Sequence, residues 1–266
     1  MDFIDQFNQS IYLPSFPKRI ISLVPSQTEL LFDLGLEEEV VGITKFCVHP
    51  QKWFKNKTRI GGTKNVDINK IKALQPDLII ANKEENVQAQ IEQLQTIAPV
   101  WVSDISTLKD ALQMIEMLGE ITNKKQSAAT IVQKVINGFH QLATIEQTPK
   151  TACYLIWRNP YITIGADTFI HDMLLKCGFT NVFGNQSRYP EISIPQIAAA
   201  NPSIILLSSE PYPFKEKHIV ELQSQLQTHN QELVSTKIIL VDGEMFSWYG
   251  SRLLQSPSYF KTLFGQ

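Results

Sequence analysis

Only three cysteines occur in the 266 residues, Cys47, Cys153 and Cys177, an odd number at wide spacings. They make neither a disulfide framework nor a Cys-x-x-Cys metal site. Lysine and arginine are scattered and the formal net charge is −2. The basic stripe that neutralises phosphates is therefore missing, and no nucleic-acid partner is expected. No apolar run reaches the ~18–20 residues of a membrane span. The longest, Ile20–Val24 and Ile204–Leu207, have the length of strands. Met1 to Arg19 has no apolar stretch resembling a signal peptide. Either the chain stays in the cytosol or a signal for export lies outside these residues. Catalytic signatures are also missing: no G-x-G-x-x-G after a strand, no P-loop, no G-x-S-x-G elbow and no H-E-x-x-H. Ser15–Lys18 and Ser106–Lys109 match S-x-x-K but lack its companion motifs. His171-Asp172 falls inside an expected helix and reads as structural. The chain is therefore not expected to be an enzyme.

Hydrophobic residues make up 43% and charged residues 19%, an ordinary globular balance, and the length suffices for one large domain or two lobes. Ile20–Val24 reads as a buried strand. Ser26-Gln-Thr-Glu29 then has capping-box spacing, ahead of a short helix, Leu30 to Leu34, that ends at Gly35. Strand Val40–Thr44 follows, then a helix capped by Asp67 and stopped before Pro76, and strand Asp77–Ala81. A helix from Glu84 to Ile97 and strand Val100–Ser103 continue the alternation, which predicts an α/β fold with largely parallel sheets.

The second half repeats the first. Ile68 to Ile80 has a counterpart in Ile194 to Leu206, and Leu34-Gly35 through Val41-Gly42 in Cys177-Gly178 through Phe183-Gly184. Two matches in one order predict two lobes on one plan, residues 1–122 and 148–266. Between them, 123–147 has no proline and carries Ala128, Ile131, Val132, Val135, Ile136, Phe139, Leu142 and Ala143 at helical spacing. About 24 helical residues extend roughly 36 Å, so one long helix bridging the lobes is expected, with limited hinge bending.

Open α/β sheets bind ligands beyond the carboxyl ends of their strands. In the first lobe those ends offer Pro25 and Ser26, Lys45 and Phe46, His49, and Thr63. The second offers Trp157, Arg158 and Tyr161, and also Trp248, Tyr249 and Arg252. Aromatic rings beside guanidinium groups suit a large planar ligand carrying carboxylates or amides. Interlobe core packing is the plainer reading of the same aromatics. Cys47 and His49 are two metal-ligand types on one loop, but a closed zinc site takes four and nothing nearby supplies the rest.

Arg19-Ile-Ile-Ser-Leu-Val-Pro-Ser-Gln-Thr-Glu-Leu, Ala73-Leu-Gln-Pro-Asp-Leu-Ile-Ile-Ala81 and the stretch Asp242–Arg252 resemble, at matching places, the helical-backbone substrate-binding proteins of ABC importers for cobalamin, ferric siderophores and haem. The likeness runs from about residue 19 to 265 and is nearest to the cobalamin receptors. It implies two α/β lobes joined by a rigid helix, and a cleft holding a cobalt corrinoid or an iron chelate, with no intrinsic cofactor. It further implies a monomer outside the cytoplasmic membrane that docks on a permease dimer through one acid per lobe. The internal repeat puts Glu84, with its neighbour Glu85, and Glu210 just after equivalent strands. Two departures stand out: the receptors' first docking glutamate aligns nearer Gln88, and a pocket tryptophan aligns near Asn82. Receptors for bare zinc or manganese use several inward histidines, a pattern that His49, His140, His171, His218 and His229 do not follow. An enzyme or a cytosolic corrinoid carrier on the same scaffold is the alternative.

Overall fold

The computed structural model describes residues 1–144, 150–229 and 236–264. Strands β1 (Asp2–Ile4) and β2 (Ser10–Tyr12) pair as an antiparallel hairpin. The first α/β run is β3 (Ile20–Ser22), α1 (Pro25–Asp33), β4 (Val40–Ile43), α2 (Gln51–Asn56) and β5 (Thr58–Arg59). It continues through α3 (Ile68–Ala73), β6 (Leu78–Asn82), α4 (Gln88–Gln95) and β7 (Val100–Ser103). Helices α5 (Leu108–Ile121) and α6 (Lys125–Ala143) precede β8 (Lys150–Leu155), β9 (Tyr161–Ile162), α7 (Phe169–Lys176) and β10 (Phe179–Asn181). Then come β11 (Glu191–Ile192), α8 (Ile194–Ala200), β12 (Ile204–Ser208), α9 (Glu216–His229), β13 (Lys237–Val241), α10 (Glu244–Ser247) and α11 (Ser256–Phe264).

Two parallel sheets carry the fold, ordered β5-β4-β3-β6-β7 and β10-β8-β12-β13. Without β5, both place their second, first, third and fourth strands side by side in that order. The repeated plan read from the sequence is therefore a repeated topology. Every residue of β6 and of β12 is buried, which is why these strands are continuous apolar runs instead of alternating ones. The repeat extends to backbone detail. Gly35 and Gly178 end α1 and α7 at φ +78° and +80°, where a Cβ is strained. Gln75 and Asn201 leave α3 and α8 at φ +46° and +45°, each directly before the proline that stops the helix. Asp67 caps α3 as expected, its carboxylate accepting from Lys70 N.

Several boundaries differ from the sequence reading. α1 begins at Pro25 with Val24 as its N-cap, and the Ser26–Glu29 capping box does not form, because Glu29 is engaged by Arg252. α4 begins at Gln88 instead of Glu84, since the preceding turn is tied to Asn82. The long helix spans Lys125–Ala143, not 123–147. Asn123 adopts the left-handed conformation at φ +58° and separates it from α5. Residues 145–147 lie outside the described residues. Of its apolar stripe Ala128, Ile131, Val132, Val135, Phe139 and Leu142 are buried, whereas Ile136 and Ala143 are exposed.

Contacts divide the chain into two compact units: Met1–Ile105, Lys109–Ile136 and Trp248–Leu254 in one, and Ser106–Leu108, Asn137–Ser247 and Gln255–Gln266 in the other. The division falls inside α6, between Ile136 and Asn137. It also returns 248–254, expected in the second lobe, to the first unit. The physical reason is a set of side-chain contacts made by that segment, described next.

Candidate functional site

In the first unit α1 and the segment 248–254 are joined by an ion pair. Arg252 donates from Nε to Glu29 Oε2 (3.0 Å) and from Nη2 to Oε1 (2.8 Å), in the fork geometry guanidinium and carboxylate favour. The side chains are 9% and 14% exposed. Trp248 stacks against the guanidinium, 5.0 Å from ring centroid to Cζ, and meets the His49 ring edge-on at 5.6 Å. Gly250, at φ +147°, passes so close to α1 that a Cβ there would lie 3.0 Å from the Ser26 carbonyl oxygen. Burial outweighs the attraction of Arg252 and raises the Glu29 pKa above the ordinary carboxylate value. Trp248, Tyr249 and Arg252 are buried, and so is Ser26, while Pro25 is half-buried as the first residue of α1.

The loop after β4 separates the remaining candidates. Lys45 is exposed with its Nζ 5.1 Å from the Phe46 ring, which is 50% exposed, and a Cβ on Gly62 would lie 3.2 Å from that ring and 3.4 Å from Lys45 Cε. Thr63 is buried, with its carbonyl accepting from Asn86 Nδ2. Cys47 is wholly buried, its sulfur in contact with the hydroxyls of Thr28 (3.0 Å) and Thr44 (3.2 Å), and burial raises its pKa. A buried, protonated thiol held by two threonines is an inert structural group. Among the described residues no three His, Cys, Asp or Glu side chains gather as a metal site. A cavity of about 510 Å³ in this unit is lined by Asp5, Gln9 to Tyr12 and Gln95 to Val100, and so by none of the candidates.

In the second unit Trp157 is 39% exposed and meets Tyr212 edge-on at 5.7 Å. Arg158 is paired with Glu221, and that guanidinium lowers the Glu221 pKa. Tyr161 is a core residue: it belongs to the buried cluster that includes Cys153, Leu155, Phe183 and Leu207, and its hydroxyl donates to Gln225 at 3.4 Å. Behind Trp157 stand Tyr212, Phe214 and His218, mutually packed. His218 Nδ1 accepts from Lys215 N, so its other nitrogen carries the proton that faces Tyr212 Oη at 3.3 Å. Phe214, His218 and Glu221 were not legible as site neighbours, because they are reached only after a proline-rich turn and the start of α9. His171 is the third residue of α7, near its start, with its Nδ1 3.2 Å from Asn181 Nδ2.

The candidate docking acids follow the ends of β6 and β12. Asn82 Oδ1 accepts from the amides of Glu84 (2.8 Å) and Glu85 (3.1 Å), and Lys64 Nζ donates to the Glu84 carbonyl. Burial raises the Glu85 pKa, with Lys64 partly offsetting it. Ser208 Oγ accepts from the Glu210 amide at 3.3 Å, and Ser247 Oγ donates to the Glu210 carboxylate.

A vitamin B12-binding protein of Photorhabdus laumondii is 30% identical over 212 residues, 77% of this chain and 75% of that protein. A Bacillus subtilis protein described as an uncharacterized ABC transporter substrate-binding lipoprotein is 29% identical over 213 residues, 76% of this chain and 67% of its own. In structure, the periplasmic vitamin B12-binding protein of Vibrio cholerae matches with a TM-score of 0.77 at 24% identity, over 95% of this chain and all of that one, which shows a shared fold. No described helix is long and apolar enough to cross a membrane. Residues 20–238 match the family model for periplasmic binding proteins, and the chain belongs to that family.

Proposed function

We propose that this binding protein takes up a corrinoid-type metal chelate and presents it to an ABC permease outside the cytoplasmic membrane. The observation that carries the choice of ligand is electrostatic. Both guanidiniums that the sequence offers for reading ligand carboxylates, Arg252 and Arg158, are held by glutamates, Glu29 and Glu221. A haem or a carboxylate siderophore brings anionic groups that need unspent cations. A corrinoid is large and rimmed by neutral amides, and it is served by aromatic surface and hydrogen-bonding groups. Trp157, 39% exposed in the second unit, is a flat surface suited to it. The vitamin B12-binding relatives support the same reading, and their naming as binding proteins supports transport over catalysis.

Calorimetry with cobinamide, cobalamin, haemin and a ferric siderophore tests this. One corrinoid per chain is expected, bound more tightly than either iron chelate. Tighter binding of haemin or siderophore, or silence from all four, overturns the reading. Trp157→Ala is expected to weaken corrinoid binding by about 1–3 kcal/mol, the range for truncating an aromatic contact. Its melting temperature should move little, since the ring is 39% exposed. A large fall in stability at unchanged affinity would assign Trp157 to packing against Tyr212 instead.

A further inference from the structure

We infer that Asn82 and Ser208, the last residues of β6 and β12, are positioning residues that seat one permease-docking acid each, Glu84 and Glu210. The inference rests on the docking reading of those two acids. It starts from a correspondence between the repeats that the sequence does not display, since asparagine and serine share no letter. In each, the side-chain oxygen of the final strand residue accepts the amide hydrogen of the residue two further on: Asn82 Oδ1 from Glu84 N, and Ser208 Oγ from Glu210 N. Both oxygens belong to buried side chains, 1% exposed in each case. A buried acceptor so placed forces the chain to turn as it leaves the sheet, as a short polar side chain does in an Asx or serine turn.

Each seat is itself anchored from behind. Asn82 Nδ2 donates to Ser103 Oγ at 2.9 Å, and Asn86 Oδ1 accepts from Asn82 N at 2.8 Å. Asn86 in turn donates to the Thr63 carbonyl, and Lys64 to that of Glu84, so the turn is pinned to the neighbouring loop. In the second unit Tyr154 Oη donates to Ser208 Oγ at 3.2 Å, and Ser208 donates to the Glu210 carbonyl at 2.6 Å. Ser247 fixes the Glu210 carboxylate, and Gly243 makes room: a Cβ there would lie 2.4 Å from Ser208 Oγ and 2.6 Å from Glu210 Cγ. Acids ordered before encounter lose less conformational freedom on meeting guanidinium groups, and rim charges of this kind set encounter and register.

The test uses the full chain and the permease complex of its own host in lipid nanodiscs, with association measured beside amide hydrogen exchange. In Asn82→Ala and Ser208→Ala, exchange should quicken at Glu84 and at Glu210 respectively. Permease association should weaken roughly tenfold, equivalent to about 1.4 kcal/mol, with corrinoid affinity unchanged in Ser208→Ala. Asn82→Ser, which borrows the second repeat's solution, should restore most of the loss, a result that general destabilisation would not give. Unchanged exchange at both amides overturns the seats. Faster exchange with full association overturns their role. The separate variants Glu84→Gln and Glu210→Gln report on the docking reading itself: if they associate normally while exchange responds as expected, that reading fails and the seats are merely structural turns. If Asn82→Ala does not fold, Ser208→Ala, which removes a single oxygen, decides between the same outcomes.

Discussion

Arg252→Ala is expected to destabilise the protein by about 3–5 kcal/mol, as removing one partner of a buried ion pair does. The cost comes less from the lost attraction than from what remains. Glu29 would stand at 14% exposure with its bidentate partner gone and its carboxylate still shielded from water. Trp248 would lose the cation on its face as well, on the order of 0.5–2 kcal/mol. The pH dependence has a definite sign. The Glu29 pKa is raised in the folded chain, so its protonated form is favoured there relative to the unfolded chain. The stability this contributes is fully present below the unfolded value and is lost as pH rises through the folded one. Without Arg252 the shift grows, so the deficit should be largest at neutral and alkaline pH and shrink on acidification. Denaturant unfolding of the variant between pH 4 and pH 8 checks both claims. Replacing the pair together, as Glu29→Leu with Arg252→Met, should cost far less than Arg252→Ala alone, because no charge is left buried. An equal loss in both, or a deficit indifferent to pH, would mean that Arg252 matters for its packing and not its charge.

Gly61→Ala is expected to cost at least about 2 kcal/mol, through left-handed strain of roughly 1–2 kcal/mol and a collision added to it. Gly61 has φ +104°, and a Cβ there would lie 2.5 Å from the Asn65 carbonyl oxygen and 3.0 Å from Val66 Cα. Backbone atoms cannot rotate away as a side chain can, so the loop must move. That loop accepts the Lys45 amide at the Gly61 carbonyl and carries Thr63, whose carbonyl takes the hydrogen bond from Asn86. Thermal unfolding should show the loss, and, if the proposed function holds, corrinoid affinity should fall with it as the loops around Lys45 and Thr63 shift. Gly35→Ala is the control: it has φ +78° but nothing within 4 Å of its Cβ, so it should lose only the strain. Equal losses at Gly35 and Gly61 would show that the collision at Gly61 is relieved at no cost.

How far the sequence alone could be read is clear from particular elements. Alternating strands and helices, the Asp67 cap, the glycine at each helix end and the Ile68–Ile80 repeat are local features. Each follows from hydrophobic period, capping chemistry or permitted φ, and each stands in the structure where its residues place it. The helix from 123 and the helix from 84 were read too long for the opposite reason. Their true starts depend on Asn123 turning left-handed and on Asn82 accepting from Glu84 and Glu85, and nothing in the apolar spacing reports either.

The candidate site was legible as residue types and not as roles. Aromatics and arginines near strand ends were visible, and Trp157 is 39% exposed. But Tyr161 and Trp157, four residues apart at the ends of a tight turn, have opposite fates, one ring in the core and one at the surface. The Ser26–Glu29 spacing promised a local cap, and a partner 223 residues away claimed the glutamate instead. An ion pair desolvated in the tertiary structure outcompetes a solvated hydrogen bond to the helix's own amide. By itself, then, the sequence determined the α/β class and the duplicated plan, which rest on short-range periodicity and repetition, and the family, which rests on the likeness of Arg19–Leu30, Ala73–Ala81 and Asp242–Arg252. Only the tertiary structure decided that both candidate arginines are paired with glutamates, that Cys47 is enclosed, and that 248–254 packs with the first unit. Those outcomes depend on which distant side chains meet and how much water they exclude, and linear spacing carries neither quantity.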